Sequence, residues 1–190
     1  MNIKELIIRT RSYRRFDQSF YIDYGTLEDL VNLARLSASS ANRQPLKYLL
    51  FNSPEDCERI FPSLAWAGYL NHWNGPEEGE RPSAYIIILG DRSVTESFSV
   101  DHGIAAQSIM LGATETGLGG CMIASVNREQ LRTELQIPEK YDILLVLALG
   151  KPAETVILED VACNDIRYYR DDDGIHHVPK RSLNELIVKL

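Results

Sequence analysis

Two uninterrupted apolar runs constrain this chain more than any other feature: AYIIILG at residues 84–90 and DILLVLALG at 142–150. A short run that is apolar at nearly every position and closed by Gly reads as a buried strand. Both runs fall far short of the ~20 residues an apolar helix needs to cross a bilayer. They are therefore core strands, at 84–89 and 143–149. Helical patterns alternate with them, and 190 residues at 44% hydrophobic content suffice for one real core. The expectation is a single α+β (α/β layered) domain over residues 1–190, without repeats or an internal linker.

The helical patterns are short and well punctuated. MNIKELII places Ile3, Leu6 and Ile7 at the i, i+3, i+4 spacing of one buried face. Residues 26–36 read as a helix with Thr26 as N-cap and Leu27, Leu30, Val31 and Ala34 on one face. The polar loop SASSANRQP leads to a strand at 47–51, after which Ser53 and Pro54 open a helix carrying Cys57 and Ile60. Asp101 starts a helix to about Thr116 that Gly117 closes. Its small residues, from Gly103 to Ala113, allow close approach of another backbone. CMIAS reads as a strand, and Asn127 with Gln130 caps a helix ending before Pro138. Residues 62–82, with Trp66, Tyr69, Trp73 and the acidic EEGE, have no clean period; they read as a lid or surface excursion. Its aromatics either pack it onto the core or cover a ligand. The tail, 165–190, reads as a hairpin turning near Asp173 and Gly174, then an amphipathic end.

Several function classes are disfavoured. A formal net charge of −7 argues against duplex nucleic acid as the main partner. Cys57, Cys121 and Cys163 are odd in number and lack a CxxC pair, so neither a disulfide framework nor a zinc site is expected. Cys121, in an apolar strand, reads as a buried structural thiol. The four histidines lack metal-binding spacing, and the neighbours His176 and His177 would point to opposite sides of a strand. No metal is expected. Adjacent on a helix, Asp101 and His102 do not face each other and receive no catalytic role. No signal-peptide pattern is present, which gives a cytoplasmic expectation. Against this acidic background Arg9, Arg11, Arg14 and Arg15 frame Ser12 in RTRSYRRF. Guanidinium forks and a hydroxyl suit a phosphate, at roughly 1.5–3 kcal/mol per charge-assisted bond; alone, a solvated cationic turn would look the same.

Four segments in order resolve that ambiguity. RSYRRF at 11–16, SSANRQP at 39–45, DHGIAAQSIMLGATETGLGGCMI and VPKRSLNEL together resemble the FMN-dependent nitroreductase family, from about Ile3 to Leu190. The resemblance implies a mixed central sheet flanked by helices and a homodimer with FMN in a groove between subunits. It implies that the central helix lies at the interface and that the tail embraces the partner. It places Arg11, Ser12 and Arg14 on the cofactor, with Arg14 a fixed cation beside flavin N1 and O2. Thr10 stands where many relatives have arginine, leaving one phosphate contact missing or supplied by Arg9. Asn42 and Gln44 match amide positions for the flavin's uracil-like edge, with Ser39 and Ser40 reaching the cofactor from the partner chain. Ala124 and Ser125 fall where backbone N–H groups approach flavin N5 and O4. Lys180 or Arg181 falls at the closing phosphate motif.

The activity implied is transfer of hydride from NADH or NADPH through FMN N5 to a nitroaromatic, quinone or activated-alkene acceptor in a ping-pong cycle, with no protein catalytic residue required. Dehalogenation or flavin breakdown on the same fold, and flavin binding without turnover, are the alternatives.

Overall fold

The computed structural model describes residues 1–189. Six helices and eight strands are found among them: α1 (Ile3–Arg9), β1 (Phe16–Asp17), α2 (Tyr24–Leu36), β2 (Leu46–Phe51), α3 (Pro54–Ile60), β3 (Ala84–Asp91), α4 (Asp101–Glu115), β4 (Gly119–Ile123), α5 (Arg128–Leu135), β5 (Tyr141–Pro152), β6 (Val156–Asp160), β7 (Tyr169–Arg170), β8 (His176–Lys180) and α6 (Leu183–Leu186). The two apolar runs pair with each other. β3 runs antiparallel to β5 with Ile86 opposite Leu147, and β5 also pairs antiparallel with β4 and, at its end, with β1. β2 closes the other side against β3. The parallel pairings lie elsewhere, in a bridge between Ser12 and Gly120 and between β6 and β8.

All eight residues of β3 are buried because helices cover both faces of the sheet. Ile86 and Ile88 join Leu145, Leu147 and Leu149 against Leu27 and Leu30 of α2 and Ile109 and Met110 of α4. Tyr85, Ile87 and Leu89 face the other way, with Cys121, Val146 and Ala148, onto Cys57 and Ile60 of α3 and Leu131 of α5. The alternation is the two-residue period of a strand, and each such side chain contributes roughly 1.5–3 kcal/mol when fully buried.

Local signals set most boundaries. Ser53 caps α3 with Pro54 in its first turn, and Asn127 accepts from the Gln130 N–H at the start of α5. Helix α2, however, begins earlier than its apolar period suggests. Asp23 is its N-cap, accepting from Thr26 N at 2.9 Å, so Thr26 sits inside the first turn. Helix α1 forms with Asn2 and Glu5 as a capping box, but its expected buried face is not buried: Ile3 and Ile7 are 63% and 49% exposed. The small residues of α4 are largely used within the chain. A Cβ on Gly112 would collide with Leu33 of α2, and Ala105, Ala106 and Ala113 are in the core, whereas Gly103 faces open space.

In residues 62–82, Trp66 is buried in the second core cluster and Trp73 packs against it. Gly75, at φ +116°, passes so near Trp66 that a Cβ would sit 2.7 Å from its ring. No helix among the described residues is long and apolar enough to cross a membrane.

Candidate functional site

The RTRSYRR segment is shaped by the end of α1. Helix ends leave carbonyls without intrahelical donors, and here the Arg11 Nη2 donates to Ile7 O at 2.6 Å and the Tyr13 hydroxyl to Arg9 O at 3.3 Å. Thr10 is buried; its hydroxyl donates to Leu6 O at 2.7 Å and lies 2.9 Å from the Thr114 hydroxyl, tying α1 to α4. The four arginines then diverge. Arg9 is exposed, and Arg15 pairs with Glu80 at 3.1 Å. Arg11 and Arg14 turn toward a cavity of about 280 Å³ that Ser12, Tyr168, His176 and Lys180 also line, with Gln107, Met110 and Met122 as part of its wall.

Among the described residues no carboxylate lines this cavity, while three cations do. Arg14 is 8% exposed, its guanidinium 4.7 Å from the Tyr168 ring centroid and its Nη1 3.2 Å from His176 Nε2. A guanidinium can only donate, so Nε2 accepts and the proton of His176 sits on Nδ1. Burial, then the charge of Arg14, pushes the His176 pKa down to about 4, which keeps the ring neutral near pH 7. Arg11 Nε, Arg14 Nε and His176 Nδ1 are buried without hydrogen-bond partners. Burial also lowers the Arg11 pKa, with Tyr13 opposing that shift. Buried donors are ordinarily satisfied; three unsatisfied ones on three residues lining one cavity fit an anionic group such as a phosphate.

A residue absent from sequence reasoning organises this arrangement. The Glu154 side chain, 2% exposed, accepts from the backbone N–H groups of Arg14 and Arg15 (the latter at 3.1 Å) and from Arg170 Nη2 at 2.8 Å. Arg170 in turn stacks on Trp73, 4.4 Å from the ring. One carboxylate thus joins the N-terminal arginine segment, β7 and the 62–82 excursion. Within the excursion Tyr69, 48% exposed, meets Tyr168 in a tilted contact at 4.9 Å between ring centroids, and the Tyr168 ring lies 5.3 Å from that of His176. His177 points away from His176, as alternation requires, to Glu159 and Asp171, each at 3.0 Å. Lys180 lines the cavity, whereas Arg181 donates to Asn164 at 2.7 Å and lies 3.6 Å from Glu185.

The second polar motif forms its own site. Ser39 donates to Asp101 Oδ2 at 2.6 Å, Ser40 N donates to Oδ1 at 2.9 Å, and Gln44 N donates back to Ser39 Oγ at 2.9 Å. Burial would raise the Asp101 pKa, but these hydrogen bonds outweigh it and hold the carboxyl below its ordinary value. Asp101 is therefore a structural anchor. Ala41, Asn42 and Gln44 all have positive φ, and the Gln44 amide donates to the Asn42 side chain at 3.2 Å. Ser39 and Gln44 line a cavity of about 230 Å³ that shares no residue with the cationic one. Ala124 and Ser125 line neither; their carbonyls accept from Val126 N and Ala65 N at 3.0 and 2.9 Å. α4 contributes to both cavities, Gln107 and Met110 to the cationic one and Asp101 and Ala105 to the other; Gly103 and Gln107 are exposed on it, and Val100 just before it.

Cys121 is buried and burial raises its pKa, so it offers no thiolate. The described residues contain no cluster of His, Cys, Asp and Glu that could hold a metal.

Comparison with known proteins gives a consistent set of likenesses. The family model described as the Nitroreductase family matches residues 7–151. The Bacillus subtilis (strain 168) protein named "Putative NAD(P)H nitroreductase YodC" is 22% identical over 180 residues, covering 79% of this chain and 89% of its own. Among solved structures, the FMN-dependent nitroreductase of Clostridium difficile R20291 superposes with a TM-score of 0.66 at 22% identity, over 86% of this chain and 92% of that one. A nitroreductase family protein of Clostridium novyi NT does so with a TM-score of 0.65 at 22% identity, over 97% and 98%.

Proposed function

Because the chain belongs to the nitroreductase family, we propose that it is a homodimeric flavoenzyme that binds FMN between subunits and oxidises NADH or NADPH. When bound, FMN supplies the hydride chemistry, accepting from the nicotinamide and passing the reducing equivalents to a nitroaromatic, quinone or activated alkene. The observation that supports the reading is the cationic cavity, with its three buried donors unpartnered and no opposing carboxylate among the described residues.

In this reading Arg11, Ser12 and Lys180 hold the phosphate end, and His176 adds a donor through Nδ1. Arg181 is engaged with Asn164 and Glu185, so of the two basic neighbours Lys180 is the phosphate ligand. Arg14, held between Tyr168 and His176, would set a fixed positive charge beside a bound flavin and so favour its acceptance of electrons. Such preorganisation needs no proton transfer from the protein. Tyr69 touches Tyr168, which lines this cavity, and would be the excursion's aromatic to meet a flat acceptor.

Incompleteness of the two cavities supports the dimer. Cavities of about 280 and 230 Å³ are each below the ~300–1,000 Å³ of small-molecule sites. The two helices that pack on α4 carry exposed apolar side chains, Ile3, Ile7 and Ile8 on α1 and Leu33 and Leu36 on α2, and Val100 before α4 is exposed too. A second copy would cover these and bring its Ser39, Ser40, Asn42 and Gln44 to the flavin, with the Ala124 and Ser125 backbone on the ring edge. The same contact accounts for the exposed α1 face.

The test is a visible spectrum of the purified protein, then anaerobic addition of NADH and NADPH, with sedimentation to read oligomeric state. Flavin bands that bleach in a dimer are expected. A colourless protein that fails to take up added FMN overturns the reading, and a yellow protein that stays oxidised reduces it to flavin binding without turnover.

A further inference from the structure

A third cavity, of about 330 Å³, lies between residues 18–21, the start of α3 and the chain entering β3. It shares no residue with either cavity described above. Arg81, Ser83 and Tyr85, spaced two apart, all line it, as expected of one face of an extended segment. Each carries a buried polar atom without a partner: Arg81 Nε, Ser83 Oγ and Tyr85 OH. Tyr85 is fully buried, and a core hydroxyl without a partner costs folding free energy that phenylalanine would avoid. Three residues that line one cavity thus each carry an unsatisfied polar atom, a cost that a bound ligand would relieve.

The surroundings define the ligand's chemistry. Arg81 is held by its own backbone, because Gln18 Oε1 accepts from Gly79 N at 2.7 Å and Arg81 N at 3.3 Å. Its guanidinium lies 4.3 Å from the Phe61 ring and forms no ion pair among the described residues. Phe20, Tyr21 and Phe61 supply flat apolar walls. Burial, reinforced by Asp56, pushes the Cys57 thiol up to about 12, so it stays a neutral wall. One guanidinium and two hydroxyl donors match one negative charge on two oxygens. Glu58, exposed but on the same lining, repels any anion, so a phosphate dianion with two charges against the single cation is disfavoured more than a monoanion, and an ammonium would be repelled by Arg81.

We propose that this cavity binds an aromatic monocarboxylate, its carboxylate on Arg81, Ser83 and Tyr85 and its ring among Phe20, Tyr21 and Phe61. This site is independent of the flavin reading and stands or falls separately.

Calorimetric titration of the purified full chain with benzoate and with neutral benzamide tests it, alongside the flavin spectrum. Saturable benzoate binding is expected, with benzamide and Arg81→Met each weaker by about tenfold or more. Tyr85→Phe should weaken binding by roughly three- to tenfold while unfolding at the same or a higher temperature than the parent, which separates ligand contact from structural support. The flavin absorption should not shift. Benzoate binding unaffected by Arg81→Met, equal binding of benzamide, binding that shifts the flavin bands, or no saturable binding would each overturn the proposal.

Discussion

Replacing Glu154 by glutamine tests whether one buried carboxylate holds the arginine segment, β7 and the excursion together. The Glu154 and Arg170 side chains are only 2% and 12% exposed, and their contact is 2.8 Å. Glutamine keeps an oxygen for the Arg14 and Arg15 N–H groups but sets a neutral amide against Arg170. The charge-assisted bond to Arg170 is worth roughly 1.5–3 kcal/mol, and a buried charge left without its partner costs up to about 3–5 kcal/mol. With the backbone bonds retained in weaker form, about 3 kcal/mol is the expected loss. At about 2–4 °C per kcal/mol for a domain of this size, the melting temperature should fall by about 6–12 °C. Thermal unfolding followed by circular dichroism reads this directly. A double-mutant cycle with Arg170→Met isolates the pair, and a coupling of at least about 1 kcal/mol is expected. A shift below about 2 °C, or a cycle additive to within about 0.5 kcal/mol, would refute the claim that Glu154 joins these segments.

Two further outcomes follow from the same geometry. On the proposed flavin reading, Arg14→Ala should weaken FMN binding by about tenfold or more, the equivalent of one charge-assisted bond, measured by quenching of flavin fluorescence; unchanged affinity and unchanged flavin reduction would remove Arg14 from the proposed site. His177 carries a raised pKa, chiefly from its hydrogen bond to Asp171 and then that to Glu159. The stability it lends is therefore fully present below its unfolded value near 6.5 and is lost as pH rises through the higher folded value. Urea midpoints of the parent should fall relative to His177→Gln across that window, and parallel midpoints would show that the contact contributes nothing.

Elements governed by neighbouring residues were legible in the sequence. Ser53 with Pro54, Asn127 with Gln130, and the period of α2 and α4 each act within a few positions, and the structure has a helix at each. Where two signals competed locally, the capping hydrogen bond decided: Asp23, outside the apolar period, starts α2. Of the aromatics in residues 62–82, Trp66 packs into the core, as one of the two readings has it, whereas Tyr69 is exposed against Tyr168.

By itself the sequence determined two core strands, the order of helices around them and an arginine segment suited to an anion. These depend on apolar periodicity, caps and residue type, all of which act along the chain. Only the tertiary structure decided which arginines turn toward the cavity, that Lys180 and not Arg181 joins them, and that Glu154 and His176 hold them. The Glu154 carboxylate meets the Arg14 N–H across 140 residues, and the Arg14 guanidinium meets His176 across 162. No local pattern encodes such pairs, because burial of the sheet's two faces brings these residues together and only then does a charge choose its partner.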